Sequence, residues 1–252
     1  MNKYLYLVVA LLSYLINISC NNSQTEKAVP LSNESAGMIQ KDPANTIVAK
    51  PIKSDNLSRY LPDGFIILDS IYGDFNGDDL MDCILMVKST DKKNFYNDEN
   101  RGVLDLNRRG IIALLKEKDN YQPVLKNLAC FYSENEDGGN YYPPEIYMEI
   151  EEGKLFIHYS HGRYGHWKYT FRYRNRDFDL IGYDLSSNHG PVVLREVSIN
   201  YITGKKIVRN NTNRNGESGE EVFEETVTRI QPNSPLKLSG IKDFDELDVA
   251  KD

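Results

Sequence analysis

From residue 65 onward the apolar positions come in short runs, most of them alternating with polar ones. Residues 65–68 and 83–87 are two such runs. Residues 110–115 lead into the polar stretch Lys116-Glu117-Lys118-Asp119-Asn120 and return at 121–125, which predicts a hairpin with a loop of four or five residues. Residues 145–150 alternate, turn at Glu152-Gly153 and come back over 154–159. Trp167, Tyr169, Phe171 and Tyr173 lie two apart with Lys168, Thr170 and Arg172 between them, so the rings share one face of a strand. Turns at 175–177 and at Thr203-Gly204 separate further runs, and 221–230 closes the series.

Successive strands joined by tight turns make an antiparallel meander, so the expected fold is mainly β with little helix. The pattern leaves open a barrel, a sandwich or an open curved sheet. Residues 97–106 and the stretch near Asp243 are the only helical candidates. No repeat recurs at a fixed period, which argues against a complete propeller.

The first 59 residues follow a different rule. Lys3 precedes an apolar run from Tyr4 to Ile18, and the small Ser19 precedes Cys20. This is the order of a secretory signal, and the run is short for a bilayer span of about 20 residues. Cys20 in that place resembles the lipobox cysteine of bacterial lipoproteins, with Asn17 where the usual leucine stands. The resemblance implies cleavage before Cys20 and acylation of its thiol. From Asn21 to Arg59 there is no Phe, Tyr or Trp, and Pro30, Pro43 and Pro51 interrupt a polar stretch. Such a segment buries too little apolar surface to offset its ordering entropy. It reads as a tether with a reach of roughly 30–40 Å. The expected organisation is therefore a signal peptide over 1–19, a lipidated tether over 20–59, one β-rich domain over 60–245 and a tail over 246–252.

Composition narrows the function. The chain has 252 residues, 30 basic against 37 acidic, and a net charge of −7. That balance argues against a nucleic-acid partner, which needs a basic face. Three cysteines are too few for a disulfide scaffold. Cys83 and Cys130 are either a disulfide pair in an oxidising envelope or two buried thiols.

The sharpest motif is Asp74-Phe75-Asn76-Gly77-Asp78-Asp79-Leu80-Met81-Asp82. Oxygen-bearing side chains fall at relative positions one, three, five and nine, and the Leu80 carbonyl falls at position seven. A hard cation such as Ca²⁺ takes six to eight oxygens, and this spacing winds a loop whose oxygens can face inward. Position twelve is Leu85, so the bidentate glutamate of an EF-hand is missing. The pattern resembles the D-x-N-G-D-G-x-x-D loops of FG-GAP/VCBS-type repeats, with Asp79 in place of the second glycine. The resemblance covers about 25 residues, from Leu61 to Val87, and implies one Ca²⁺ loop joining two strands. The alternative is an Asx-rich turn held by its own hydrogen bonds. A more general likeness extends from Tyr121 onward, to small envelope lipoproteins that carry one such loop ahead of a β-meander. It rests on Cys130-Phe131, on the loop from Ser133 to Gly139 and on His158-Tyr159-Ser160-His161-Gly162, and it implies no activity.

Two other groups carry chemistry. His158, His161 and His166 cluster with Tyr164 and Trp167 around two glycines. Imidazoles can ligate Zn²⁺, but no cysteine lies near. The aromatic rings suit a glycan or peptide surface, or else they pack into the sheet. Glu134, Glu136 and Asp137 sit in a glycine-rich loop and are the carboxylates a hydrolase would use. The sequence thus points to a non-enzymatic, lipid-anchored cell-envelope protein, placed most naturally at a Gram-negative outer membrane. Its Ca²⁺-stabilised β-domain would bind an envelope partner or a glycan. A secreted hydrolase and a structural accessory subunit are the alternatives.

Overall fold

A computed structural model of the chain describes residues 57–136, 142–231 and 235–249. The expected leader, Cys20, the tether up to residue 56 and Asp137 lie outside the described residues. Among the described residues no helix is long and apolar enough to cross a membrane.

The alternation becomes strands throughout. They are β1 (Phe65–Gly73), β2 (Asp82–Ser89), β3 (Phe95–Asp98), β4 (Gly102–Asp105), β5 (Arg109–Glu117), β6 (Asn120–Phe131), β7 (Glu145–Glu151), β8 (Lys154–Ser160), β9 (Gly165–Arg174), β10 (Asp177–His189), β11 (Val192–Asn200), β12 (Lys205–Asn211) and β13 (Phe223–Arg229). All pairs are antiparallel. One sheet has the order β1-β2-β5-β6, the second runs β13-β12-β11-β10-β9-β8-β7, and β3-β4 forms a separate ribbon. Neither large sheet closes into a barrel.

The main core lies between the two large sheets. Ile84, Met86, Ile111, Ala113 and Phe131 come from the first, and Leu155, Ile157, Tyr159, Tyr169 and Phe171 from the second. In β8 the buried positions are Leu155, Ile157 and Tyr159, with half-buried residues between them, as period two requires. The first sheet is covered on its other face as well. Cys83, Leu85, Val87, Ile112 and Leu114 pack there beneath Leu57, Tyr60 and Leu61. This explains why β2 is buried almost without a break, while a one-faced strand would alternate. It also moves the domain boundary: residues 57–59, read as tether, are part of the fold. At the other end Leu247 and Val249 pack on the main core, so the tail reading over 246–249 is corrected in the same way.

A β-bulge in β1 between Ile67 and Asp69 changes which face its residues serve. Before it, Phe65 and Ile67 join the smaller core; after it, Ile71 joins the main one. Where β1 passes β7 the sheets come so close that a Cβ on Gly73 would lie 2.6 Å from the Ile150 side chain.

Two helical expectations are overturned. Residues 97–106 fall in the β3–β4 hairpin, because Asp98 Oδ1 accepts from the backbone N–H of Asn100 and Arg101 and Gly102 takes φ +78°. Near Asp243 the chain bends, with Asp243 Oδ1 accepting from Asp245 N at 2.9 Å. In both places an Asx turn competes successfully with helix. The disulfide alternative is corrected too: Cys83 and Cys130 are free thiols in different cores, on opposite faces of the first sheet. Burial pushes both thiols up to about 12.

Candidate functional site

The acidic loop joins β1 to β2, and its carboxylates wind it. Asp74 Oδ1 accepts from the backbone N–H of Asn76 and Gly77 at 3.1 and 2.6 Å, and Asp74 Oδ2 from Asp79 at 2.8 Å. Burial works to raise the Asp74 pKa, but these backbone donors together hold it below the usual carboxylate value. Asp79 takes φ +62°, the left-handed conformation the glycine of the related pattern would adopt. Asn76 Nδ2 donates to Asp78 Oδ2, and Asp78 Oδ1 accepts from Leu80 N. The Leu80 carbonyl accepts from Asp82 N at 3.1 Å.

Asp82 also has a structural task. Its side chain is fully buried, Oδ2 accepts from Phe75 N at 3.1 Å, and Oδ1 from Lys116 N at 2.9 Å. It ties the loop to the end of β5. Burial raises its pKa, with the charges of Asp78 and Asp74 adding to the rise, against the two amide donors. Oxygen donors of this kind suit a hard cation. However, among the described residues no three His, Cys, Asp or Glu side chains converge on a metal position. The carboxylates of Asp74 and Asp78 take part in hydrogen bonds within the loop, as an Asx-rich turn does.

The histidine and aromatic group is split three ways. Trp167 faces inward, stacked on Tyr159 with centroids 4.9 Å apart and planes at 10°. His161 and Tyr164 lie at the β8–β9 turn, their rings 5.2 Å apart, and His161 Nε2 is 2.9 Å from the Tyr142 carbonyl. His158 and His166 stand on the outer face of the seven-stranded sheet, where Ser160 pairs with His166 and His158 with Lys168. The five residues are therefore one region of the fold without being one surface.

The outer face brings in partners that the sequence reading omitted. Tyr147 on the edge strand β7 pairs with His158, and their rings stack at 4.3 Å and 6°. His158 Nε2 lies 2.8 Å from Glu149 Oε1. Burial lowers the His158 pKa; Lys168 and His166 act in the same direction, and Glu149 opposes them. Tyr147 is half exposed, and its second ring face looks past the edge of the sheet. The turn at Glu152-Gly153 fixes this register, so the Tyr147–His158 contact was in principle readable from the sequence.

Following the pairing inward gives one continuous rung: Tyr147, His158, Lys168, Asp184, Ser198, Ile207 and Val227. Its middle is internally paired, with Lys168 Nζ 3.6 Å from Asp184 and Ser198 Oγ donating to Asp184 at 2.7 Å. A shallow open groove of about 330 Å³ runs beside it, bounded by His166, Ser186, Glu196, Arg209 and Glu225.

The loop carboxylates are occupied elsewhere. Glu134 and Asp105 both hold the buried Lys88 ammonium, at 2.5 and 2.8 Å, and Glu136 accepts from the Ser133 hydroxyl at 2.9 Å. These contacts fasten the β3–β4 ribbon to the body, together with buried Asn107, whose side chain bonds Asp91, Asn94 and Asp105. Compared with known proteins, the chain matches no protein-family model, no curated protein and no solved structure.

Proposed function

We propose that this chain is a non-catalytic, lipid-anchored protein of the bacterial cell envelope, held by acylated Cys20 and its tether, and that its β-domain binds an envelope glycan or protein. The carrying observation is Tyr147: a half-exposed ring at the edge of an open sheet, backed flat by His158, which Glu149 orients. A ring fixed in this way presents an apolar plane beside a carboxylate and an ammonium, the mixture that sugar rings and peptide segments use. Glu134 and Glu136, the carboxylates of the hydrolase alternative, are engaged in structural contacts, which favours binding over hydrolysis.

Ca²⁺ belongs to the same proposal as a stabiliser of the loop, through Asp74, Asn76, Asp78, the Leu80 carbonyl and Asp82. Three acidic side chains from Asp74 to Asp79 repel one another, and a divalent cation converts that repulsion into attraction.

The test is co-sedimentation with purified envelope glycan, comparing the native chain with Tyr147→Ala. The native chain is expected to pellet and Tyr147→Ala to bind about tenfold more weakly, a loss of about 1.4 kcal/mol. Equal binding by the two removes Tyr147 from the site. Glycan cleavage during the incubation would replace this reading with the hydrolase. Anchoring is tested separately: Cys20→Ser should release the protein from the membrane fraction.

A further inference from the structure

The seven-stranded sheet ends at β13, and among the described residues nothing pairs with the outer edge of that strand. Every residue from Glu224 to Arg229 is exposed. The direction of its backbone groups follows from the contacts at its two ends. Thr212 N donates to the Val222 carbonyl at 2.7 Å, and Ile230 N donates to the Gly204 carbonyl at 2.9 Å. With the observed register, Asn211 opposite Phe223 through Lys205 opposite Arg229, the even-numbered residues 224, 226 and 228 bond toward β12. Glu225, Val227 and Arg229 therefore turn their N–H and C=O groups to the open edge. The same three residues place their side chains on the outer face, in line with Arg209, Ile207 and Lys205.

We propose that this edge pairs with the same edge of a second copy of the chain, antiparallel and centred on Val227, to make one continuous sheet. Edge strands avoid such pairing by carrying charges that meet like charges. Here the charges select a register. A two-fold axis normal to the sheet preserves its faces, so residue numbers of opposed partners must sum to an even value. Centring on Glu225 sets Glu225 against its own copy. Centring on Thr226 sets Glu225 against Val227, so that only Arg209 of the same chain, 3.8 Å away, answers its charge. Centring on Val227 sets Glu225 against Arg229 on both sides of the axis, with Val227 against Val227 between them and Thr226 against Thr228 on the other face. No like charges are opposed, and the outward backbone groups of Glu225, Val227 and Arg229 form about six new ladder hydrogen bonds. This interface lies at the opposite edge of the sheet from Tyr147 and does not depend on the binding proposed there.

The experiment is light scattering after size exclusion on the full chain in mild detergent, up to about 100 µM, where a Kd of that order leaves a large dimer fraction. Glu225→Arg and Arg229→Glu should each weaken the dimer about tenfold or more, since each sets like charges together twice. The double exchange, Glu225→Arg with Arg229→Glu, should restore it. Val227→Pro should abolish pairing while the monomer melt is retained, because the lost N–H faces outward. A native chain that stays monomeric overturns the proposal. So does a dimer insensitive to the single reversals, or one that the double exchange fails to restore.

Discussion

Replacing Asp82 with alanine tests the claim that this carboxylate holds the loop in place. The side chain is fully buried and receives two backbone N–H groups, from Phe75 and from Lys116. Alanine leaves both donors without this acceptor, the Phe75 amide buried and the Lys116 amide part-buried. Each buried amide left in that state costs about 1–3 kcal/mol, so the expected loss is about 4 kcal/mol. For a domain of this size that corresponds to a fall in Tm of about 8–16 °C. One effect works the other way. Burial and the charges of Asp78 and Asp74 raise the Asp82 pKa, so removing the side chain also removes an ionisation that the fold disfavours. The sign of the linkage follows. A raised native pKa means that the Asp82 contribution is fully present below the ordinary value of about 3.9 and declines as pH rises through the native value. Asp82→Asn keeps the shape and one acceptor oxygen and should fall between the two. The assay is urea unfolding read by the single tryptophan, Trp167, which reports on the main core through its stack on Tyr159. A loss below about 0.5 kcal/mol for Asp82→Ala, the range of ordinary surface changes, would refute the clamp.

Millimolar Ca²⁺ should raise the Tm relative to chelator, and Asp78→Ala should abolish the rise; superimposed melts of the native chain sink the ion proposal. His158 has a lowered pKa, so its contribution is present above 6.5 and lost as pH falls through the native value. His158→Gln should therefore flatten the change in urea midpoint between pH 7.5 and 5.5, and an unchanged slope counts against the stacked, desolvated imidazole. Cys83 and Cys130, both raised to about 12, should resist alkylation in the native state and react in urea without reductant. Site-resolved mass spectrometry checks this, and a failure to react in urea would restore the disulfide.

Much of the β structure was legible because period two leaves a strong trace. The rings from Trp167 to Tyr173 and the return at Glu152-Gly153 specify strand, face and register with purely local information. The two helical misreadings were also local: Asp98 and Asp243 form Asx turns, which a search for apolar periodicity does not register. What the sequence hid was tertiary. Leu57 looks like the last apolar residue of a polar tether until a sheet face is present for it to cover. The spacing of Asp82 reports where its carboxylate sits along the chain and not which amides surround it, so its hold on Phe75 and Lys116 was hidden. The five predicted surface residues separated because Trp167 follows strand parity inward while its neighbour His166 follows it outward.

The placement of both proposed contacts follows from how the core was built. The central strands β2 and β5 of the first sheet are covered on both faces: the second sheet covers one side and residues 57–61 approach the other. Among the described residues the outer face of the seven-stranded sheet is therefore the broad surface left for a partner. Across its middle the charges answer one another, Lys168 with Asp184 and Arg209 with Glu196 at 2.7 Å. A partner landing there would have to strip paired charges of both water and each other, which exposed ion pairs worth about 0–1 kcal/mol permit but do not reward. At the two ends of the same rung the chemistry changes, to a backed aromatic ring on β7 and to Val227 on β13 with its edge amides turned outward. Apolar area and unmade backbone hydrogen bonds both yield free energy on contact, so both proposed contacts fall at the edges of this sheet and not at its centre.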